Sequence, residues 1–162
     1  MKRTVVSVAV AAAALAATVL FTGCGGGCGG ICGSQCELIS CSYDTLKCDL
    51  YPDPNRGIVI HYLRKVEGVE GYRWTARLFI DTSGIDPVEG HMFEGQEFLD
   101  RVMLTRPQEP EPWPDYDGKD CTISSGGDSE GHLAGQCNFR FTNGYFATFN
   151  FSCDLKLAEP NT

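Results

Sequence analysis

The run Leu133–Leu155, LAGQCNFRFTNGYFATFNFSCDL, decides the fold. Ahead of Asn143-Gly144, Leu133, Cys137, Phe139 and Phe141 alternate with His132, Gln136, Asn138, Arg140 and Thr142. Behind it, Tyr145, Ala147, Phe149, Phe151, Cys153 and Leu155 take every second position. A period of two with one apolar side is that of a strand burying one face, because successive side chains point to opposite sides of the pleat. Two such strands around Asn-Gly predict a hairpin, and its register can be argued. A two-residue turn would set Phe141 opposite Phe146 and Phe139 opposite Thr148, mixing the two faces. A three-residue loop, Thr142-Asn143-Gly144 with Gly144 left-handed, sets Phe141 opposite Tyr145 and Phe139 opposite Ala147. Both apolar sets then share a face, so the second register is expected.

That register constrains the cysteines. Cys137 falls opposite Phe149 and Cys153 opposite Leu133, four residues apart along the hairpin. At about 3.3 Å per residue this is about 13 Å, too far for a disulfide between them. Cys121, in the strand before, is the natural partner for Cys137, and Cys153 is left to reach back to the N-terminal cysteines.

Upstream the same period recurs. In Tyr72–Asp81 the residues Tyr72, Trp74, Ala76, Leu78 and Ile80 form one face. Gly57–Val66, with Ile58, Ile60 and Tyr62 inward, is its expected partner through Glu67-Gly68-Val69-Glu70-Gly71. Gln96–Thr105 reads as a less regular strand, and Lys119–Ser124 as a short one ending in Ser125-Gly126-Gly127-Asp128. With no convincing amphipathic helix after residue 23, the pattern predicts an all-β domain, an antiparallel sandwich or small barrel.

The N-terminus is organised differently. Lys2 and Arg3 precede an uncharged run, Thr4 to Phe21, which stops at Thr22-Gly23-Cys24. A basic start followed by an apolar stretch is the layout of an export signal, and the stretch is also long enough to span a membrane uncleaved. Phe21-Thr22-Gly23-Cys24 resembles the lipobox of bacterial lipoproteins, with Phe21 standing where Leu, Val or Ile is usual. The resemblance covers roughly the first 25 residues. It implies cleavage before Cys24 and acylation of that residue, an extracytoplasmic address and, with Gly25 next, compatibility with the outer membrane. Two or three acyl chains make a stable anchor where one is marginal. The expected organisation is a signal peptide over 1–23, a lipidated Gly/Cys-rich stalk over 24–48 and the β domain over 49–162.

The cysteine count points the same way. There are nine: Cys24, Cys28, Cys32, Cys36, Cys41, Cys48, Cys121, Cys137 and Cys153. An odd number in an exported chain leaves one unexplained, and a lipid on Cys24 explains it. The other eight can close four disulfides in an oxidising compartment. The Cys28, Cys32, Cys36 rhythm also falls within zinc-site spacings, but no histidine lies near it and the intervening glycines suit a knotted stalk.

Few functions suit the rest of the sequence. Residues 1–23 hold two cations and no acid, so the remainder carries 11 Lys+Arg against 21 Asp+Glu. That balance argues against nucleic acid and anionic lipid surfaces, which require clustered cations. His61 and His132 fall on polar strand faces and His91 in a Gly-flanked loop, with neither Gly-x-Ser-x-Gly nor His-Glu-x-x-His present. No enzyme is expected. Asp115, Asp117 and Asp120, around Gly118, suggest a calcium loop but lack a third alternating acid and a distal Glu. Trp113 and Tyr116, beside the prolines of 107–114, are candidate anchors for a protein partner or, equally, a plug on the domain's edge. The expected protein is a non-enzymatic envelope lipoprotein with a structural or protein-interaction role. The alternatives are a module binding an apolar molecule or sugar, and an extracytoplasmic hydrolase.

Overall fold

The computed structural model describes residues 30–35, 41–52, 54, 56–68, 70–106 and 113–158. In chain order these form β1 (Gly30–Cys32), β2 (Thr45–Tyr51), β3 (Gly57–Lys65), β4 (Tyr72–Asp81) and β5 (Met92–Glu94). Then come α1 (Gly95–Arg101), β6 (Val102–Thr105), β7 (Asp120–Ser125), β8 (Gly131–Arg140) and β9 (Phe146–Leu157). The strands make one sheet in the order β5-β7-β8-β9-β2-β3-β4-β6, with β1 added to β9. The sheet curls into a nearly closed barrel, so the all-β expectation holds. One pair, β2 with β9, is parallel, which corrects a purely antiparallel arrangement.

The hairpin that decides the fold has the register expected of it: Leu133 faces Cys153, Cys137 faces Phe149 and Phe139 faces Ala147. The Phe141 N–H donates to the Tyr145 carbonyl at 2.9 Å, and Gly144 has φ +86°, the left-handed value the three-residue loop requires. Inward-pointing Phe139, Phe149, Leu133 and Leu155 are buried, as are Ile58, Ile60, Leu78 and Ile80 of β3 and β4. Tyr62 is fully buried and its hydroxyl donates to the Asn150 carbonyl at 3.1 Å. Burial, with Tyr43 close by, pushes its phenol well above the ordinary range. Tyr72 and Tyr145, counted with the inward faces from their period, are exposed because each stands where its hairpin leaves the core.

Two expectations are corrected. Residues 24–48 are not all stalk: β1 and most of β2 lie within them and belong to the sheet, with Cys48 and Leu50 buried in the core. Gln96–Thr105 is not one strand, since Gly95–Arg101 is helical and only Val102–Thr105 is extended. A helix of seven residues buries just Phe98, too little to print an amphipathic period. Its charges do fit the helix dipole, with Glu97 in the first turn and Arg101 in the last.

This helix lies where the barrel fails to close. β5 and β6 are the two ends of the sheet path, and α1 packs against both as well as against β4 and β7. Tyr116 completes the seam: its hydroxyl accepts from the Leu104 N–H at 3.2 Å and donates to the Val102 carbonyl at 3.3 Å. Those are the β6 groups that a next strand would otherwise satisfy. Tyr116→Phe is therefore expected to lose about 1–2 kcal/mol, read as a lower urea midpoint at unchanged slope. A variant as stable as the parent would mean that water replaces the hydroxyl there.

Strand directions define two ends. The starts of β2, β4 and β9 and the ends of β3 and β8 share the upper end, with the β3–β4 and β8–β9 hairpins. The β2–β3 and β7–β8 turns, the β4–β5 connection and Leu157 share the lower end.

Candidate functional site

At the lower end, the β2–β3 and β7–β8 turns and the end of β9 enclose an open hollow of about 470 Å³. Leu50, Tyr51, Pro52 and Leu157 supply its apolar wall, and Arg56, Asp128, Ser129 and Glu130 its polar one. Each charge is already engaged. Arg56 NH2 pairs with Asp128 Oδ1 at 2.6 Å, and the same carboxylate accepts from the Val88 N–H at 3.1 Å. Glu130 Oε1 accepts from the Leu157 N–H at 3.0 Å. The hollow thus presents shape and apolar area more than unpaired charge. The turn signal at Ser125-Gly126-Gly127-Asp128 marks one wall, because Gly126 (φ +73°) runs against the His132 carbonyl where no Cβ fits. Nothing in the sequence could bring Leu157 and Arg56 to that turn, since only the sheet order does so.

A second polar group crosses the outer face of the sheet, where Lys47, His61, Arg77 and Thr105 stand in register on β2, β3, β4 and β6. His61 is on the outer face as expected, yet its side chain is only 13% exposed. Arg77 Nε donates to Nδ1 at 3.3 Å, so the nitrogen that could take a proton from a nucleophile is occupied by a cation. Nε2 lies 3.2 Å from Asp49 Oδ2. Burial first, and then Arg77, hold the His61 pKa below its ordinary value, against an upward pull from Asp49.

A lowered pKa means the unfolded chain binds the proton more readily, so this residue's contribution is full above its unfolded pKa and is lost as pH falls through the folded one. Between pH 7.5 and 5.0 the parent's Tm should therefore fall more than that of His61→Asn, by thermal melts in matched buffers. Parallel curves would show that His61 does not govern this slope.

The other histidines stand apart from His61. His91 Nε2 lies 3.0 Å from Glu97 Oε1, in a chain through Arg101 that binds α1 to the β4–β5 connection. His132 Nε2 lies 3.4 Å from Ser152 Oγ on the exposed face of β8.

The candidate binding and metal residues are placed as follows. Trp113 stacks on Phe141 at 5.7 Å and meets Phe149 edge-on, while Tyr116 packs against Phe98 and Phe139. Both side chains are partly buried against the core, the contact foreseen for a plug on the domain's edge. Asp117 pairs with Arg140 at 3.5 Å and Asp120 Oδ1 accepts from Asn138 at 2.6 Å. Among the described residues no three His, Cys, Asp or Glu side chains gather to hold a metal, and Asp115, Asp117 and Asp120 are not brought together as a set.

Cys121 pairs with Cys137 and Cys48 with Cys153, the first as expected and the second tying the last strand back to the N-terminal cysteines. Cys41 is disulfide-bonded as well. Cys24, Cys28 and Cys36 lie outside the described residues. Comparison with protein-family models, with curated proteins and with solved structures gives no match to this chain.

Proposed function

We propose that this chain is a cell-envelope lipoprotein, acylated at Cys24, whose β-barrel serves as a non-enzymatic structural or protein-interaction module. The buried disulfides indicate an oxidising, extracytoplasmic compartment. No helix among the described residues is long and apolar enough to cross a membrane. The observation that carries the proposal is the cysteine arithmetic: interior staples consume cysteines in pairs, and the odd one of nine stands in Phe21-Thr22-Gly23-Cys24. An interior filled by Phe, Leu and Ile supports a structural module over a carrier. The site of anchoring we assign is the outer membrane, in keeping with Gly25.

The lower-end hollow favours one alternative, a module for a small apolar molecule or sugar, because its volume falls within the usual range for such ligands. Binding there would be weakened by Leu157→Asp and not by substitutions at the upper end.

The test of the main proposal is the intact mass of membrane-extracted protein, alkylated with and without reduction. The expected result is a chain beginning at Cys24 with added acyl mass and eight thiols revealed only by reduction. An unprocessed chain without acyl mass, or thiols free beforehand, would overturn it.

A further inference from the structure

Cations that are scattered along this acidic chain meet on one face of the sheet. Lys47, Arg64, Lys65, Arg73 and Arg77 all fall on β2, β3 and β4. In β4, Ala76, Leu78 and Ile80 are buried, so Arg73 and Arg77 leave by the outer face, four residues or about 13 Å apart. Arg64 pairs directly with Arg73 across the ladder, past the bulge at Tyr62/Leu63. Two exposed guanidinium groups therefore rise from the same face on backbones about 5 Å apart. Lys47 stands across β3 from Arg77, with His61 between them. The Arg77 Nε donates to His61 Nδ1 at 3.3 Å, which fixes that guanidinium on the face.

Like charges directly opposite each other destabilise a sheet, so the Arg64 and Arg73 pair costs the free protein stability. Among the described residues no ion pair relieves it. Arg56, Arg101 and Arg140 each hold a carboxylate, whereas Arg64 and Arg73 hold none. The acids of β2 and its approach are committed: Asp49 to Lys47 at 3.1 Å and His61 at 3.2 Å, and Asp44 to the Lys65 N–H at 2.6 Å. Glu67 and Glu70 lie in the β3–β4 turn, off the ladder. Two planar donor forks side by side match carboxylates, which they bind in pairs of parallel hydrogen bonds. Charge also selects the occupant. The chain carries a net −8, so a bilayer or nucleic acid extending past this face meets repulsion from the rest of the surface. A short protein segment meets the basic face alone, since exposed charges are screened beyond about 8 Å. Extended along β4, its carboxylates four residues apart are also about 13 Å apart and meet Arg73 and Arg77 together.

We propose that Arg64, Arg73 and Arg77, with Lys47, form a docking face for an extended acidic segment of a partner protein. This rests on the reading of the barrel as a protein-interaction module and names the chemistry of its partner. The probe is a fluorescein-labelled peptide of alternating Glu and Ser, with a Gln-Ser peptide as its neutral match. Binding to the full chain is read by fluorescence anisotropy at low and at physiological salt. The Glu-Ser peptide is expected to bind, more weakly as salt rises, and the double variant Arg64→Gln/Arg73→Gln to weaken it at least about tenfold. Lys119→Gln, ahead of β7, should leave affinity unchanged. The double variant should melt no lower than the parent, because its like-charge pair is gone, so lost binding is not lost folding. Equal affinity in the double variant, equal binding of the Gln-Ser peptide, or no binding at low salt overturns the docking face. A lower Tm in the double variant gives the two arginines a structural role and overturns it as well. So does tighter binding to phosphatidylglycerol vesicles than to the peptide. Acyl mass on Cys24 without peptide binding keeps the lipoprotein and sinks this face; peptide binding without acyl mass does the reverse.

Discussion

Replacing Cys48 and Cys153 together by alanine is expected to cost about 4–5 kcal/mol, against about 3 kcal/mol for the Cys121 and Cys137 pair. The difference follows from the loops these bonds close, 105 residues in the first case and 16 in the second. A cross-link removes conformations from the unfolded chain, and more of them the further apart its ends lie. The folded side adds to this. Cys48 is 1% exposed between β2 and β9, the parallel pair, which has only three residue pairs in register. Those strands come from opposite ends of the domain and no local turn holds them together. Set against a usual net stability of about 5–15 kcal/mol, the loss is large enough to unfold much of the protein at 37 °C. Urea unfolding of both double variants at one pH checks it. Equal losses, or a larger one for the Cys121 and Cys137 pair, would show that the long loop is already restrained in the unfolded state.

The features legible in the sequence are those set by neighbours along the chain. Alternation over Tyr72–Asp81 and Leu133–Leu155 gave strand faces, and a loop of one length alone kept Phe139 with Ala147. That register then excluded Cys137–Cys153 and left Cys121 for Cys137. What escaped depends on partners far away. β2 reads Thr45–Tyr51 with two cysteine-flanked charges, and glycine-rich sequence before it masks Leu46, Cys48 and Leu50 as an inward face. β5 has three residues, too few for a period, and exists because β7 offers it an edge. Helix α1 forms because the seam between β5 and β6 needs a cover and Phe98 fills it. The candidate hollow was invisible for the same reason, since Arg56 and Asp128 are 72 residues apart.

Phe149→Ala is expected to destabilise the fold by about 3–5 kcal/mol, and Phe146→Ala, three positions earlier on the same strand, by no more than about 0.5 kcal/mol. Phe149 is fully buried, with ring centroids 5.3 Å from Phe139, 5.5 Å from Tyr62 and 5.7 Å from Trp113. Truncating it opens a void between strands β3 and β8 and the Trp113 plug, which three rigid rings cannot close by small shifts. Phe146 is 54% exposed and packs on no ring among the described residues, so its loss leaves the core alone. Because side chains on a strand alternate, a register slipped by one residue would exchange the two results, as would a two-residue turn at Asn143-Gly144. Comparable losses in the two variants by urea titration would therefore count against the barrel's inner face as described.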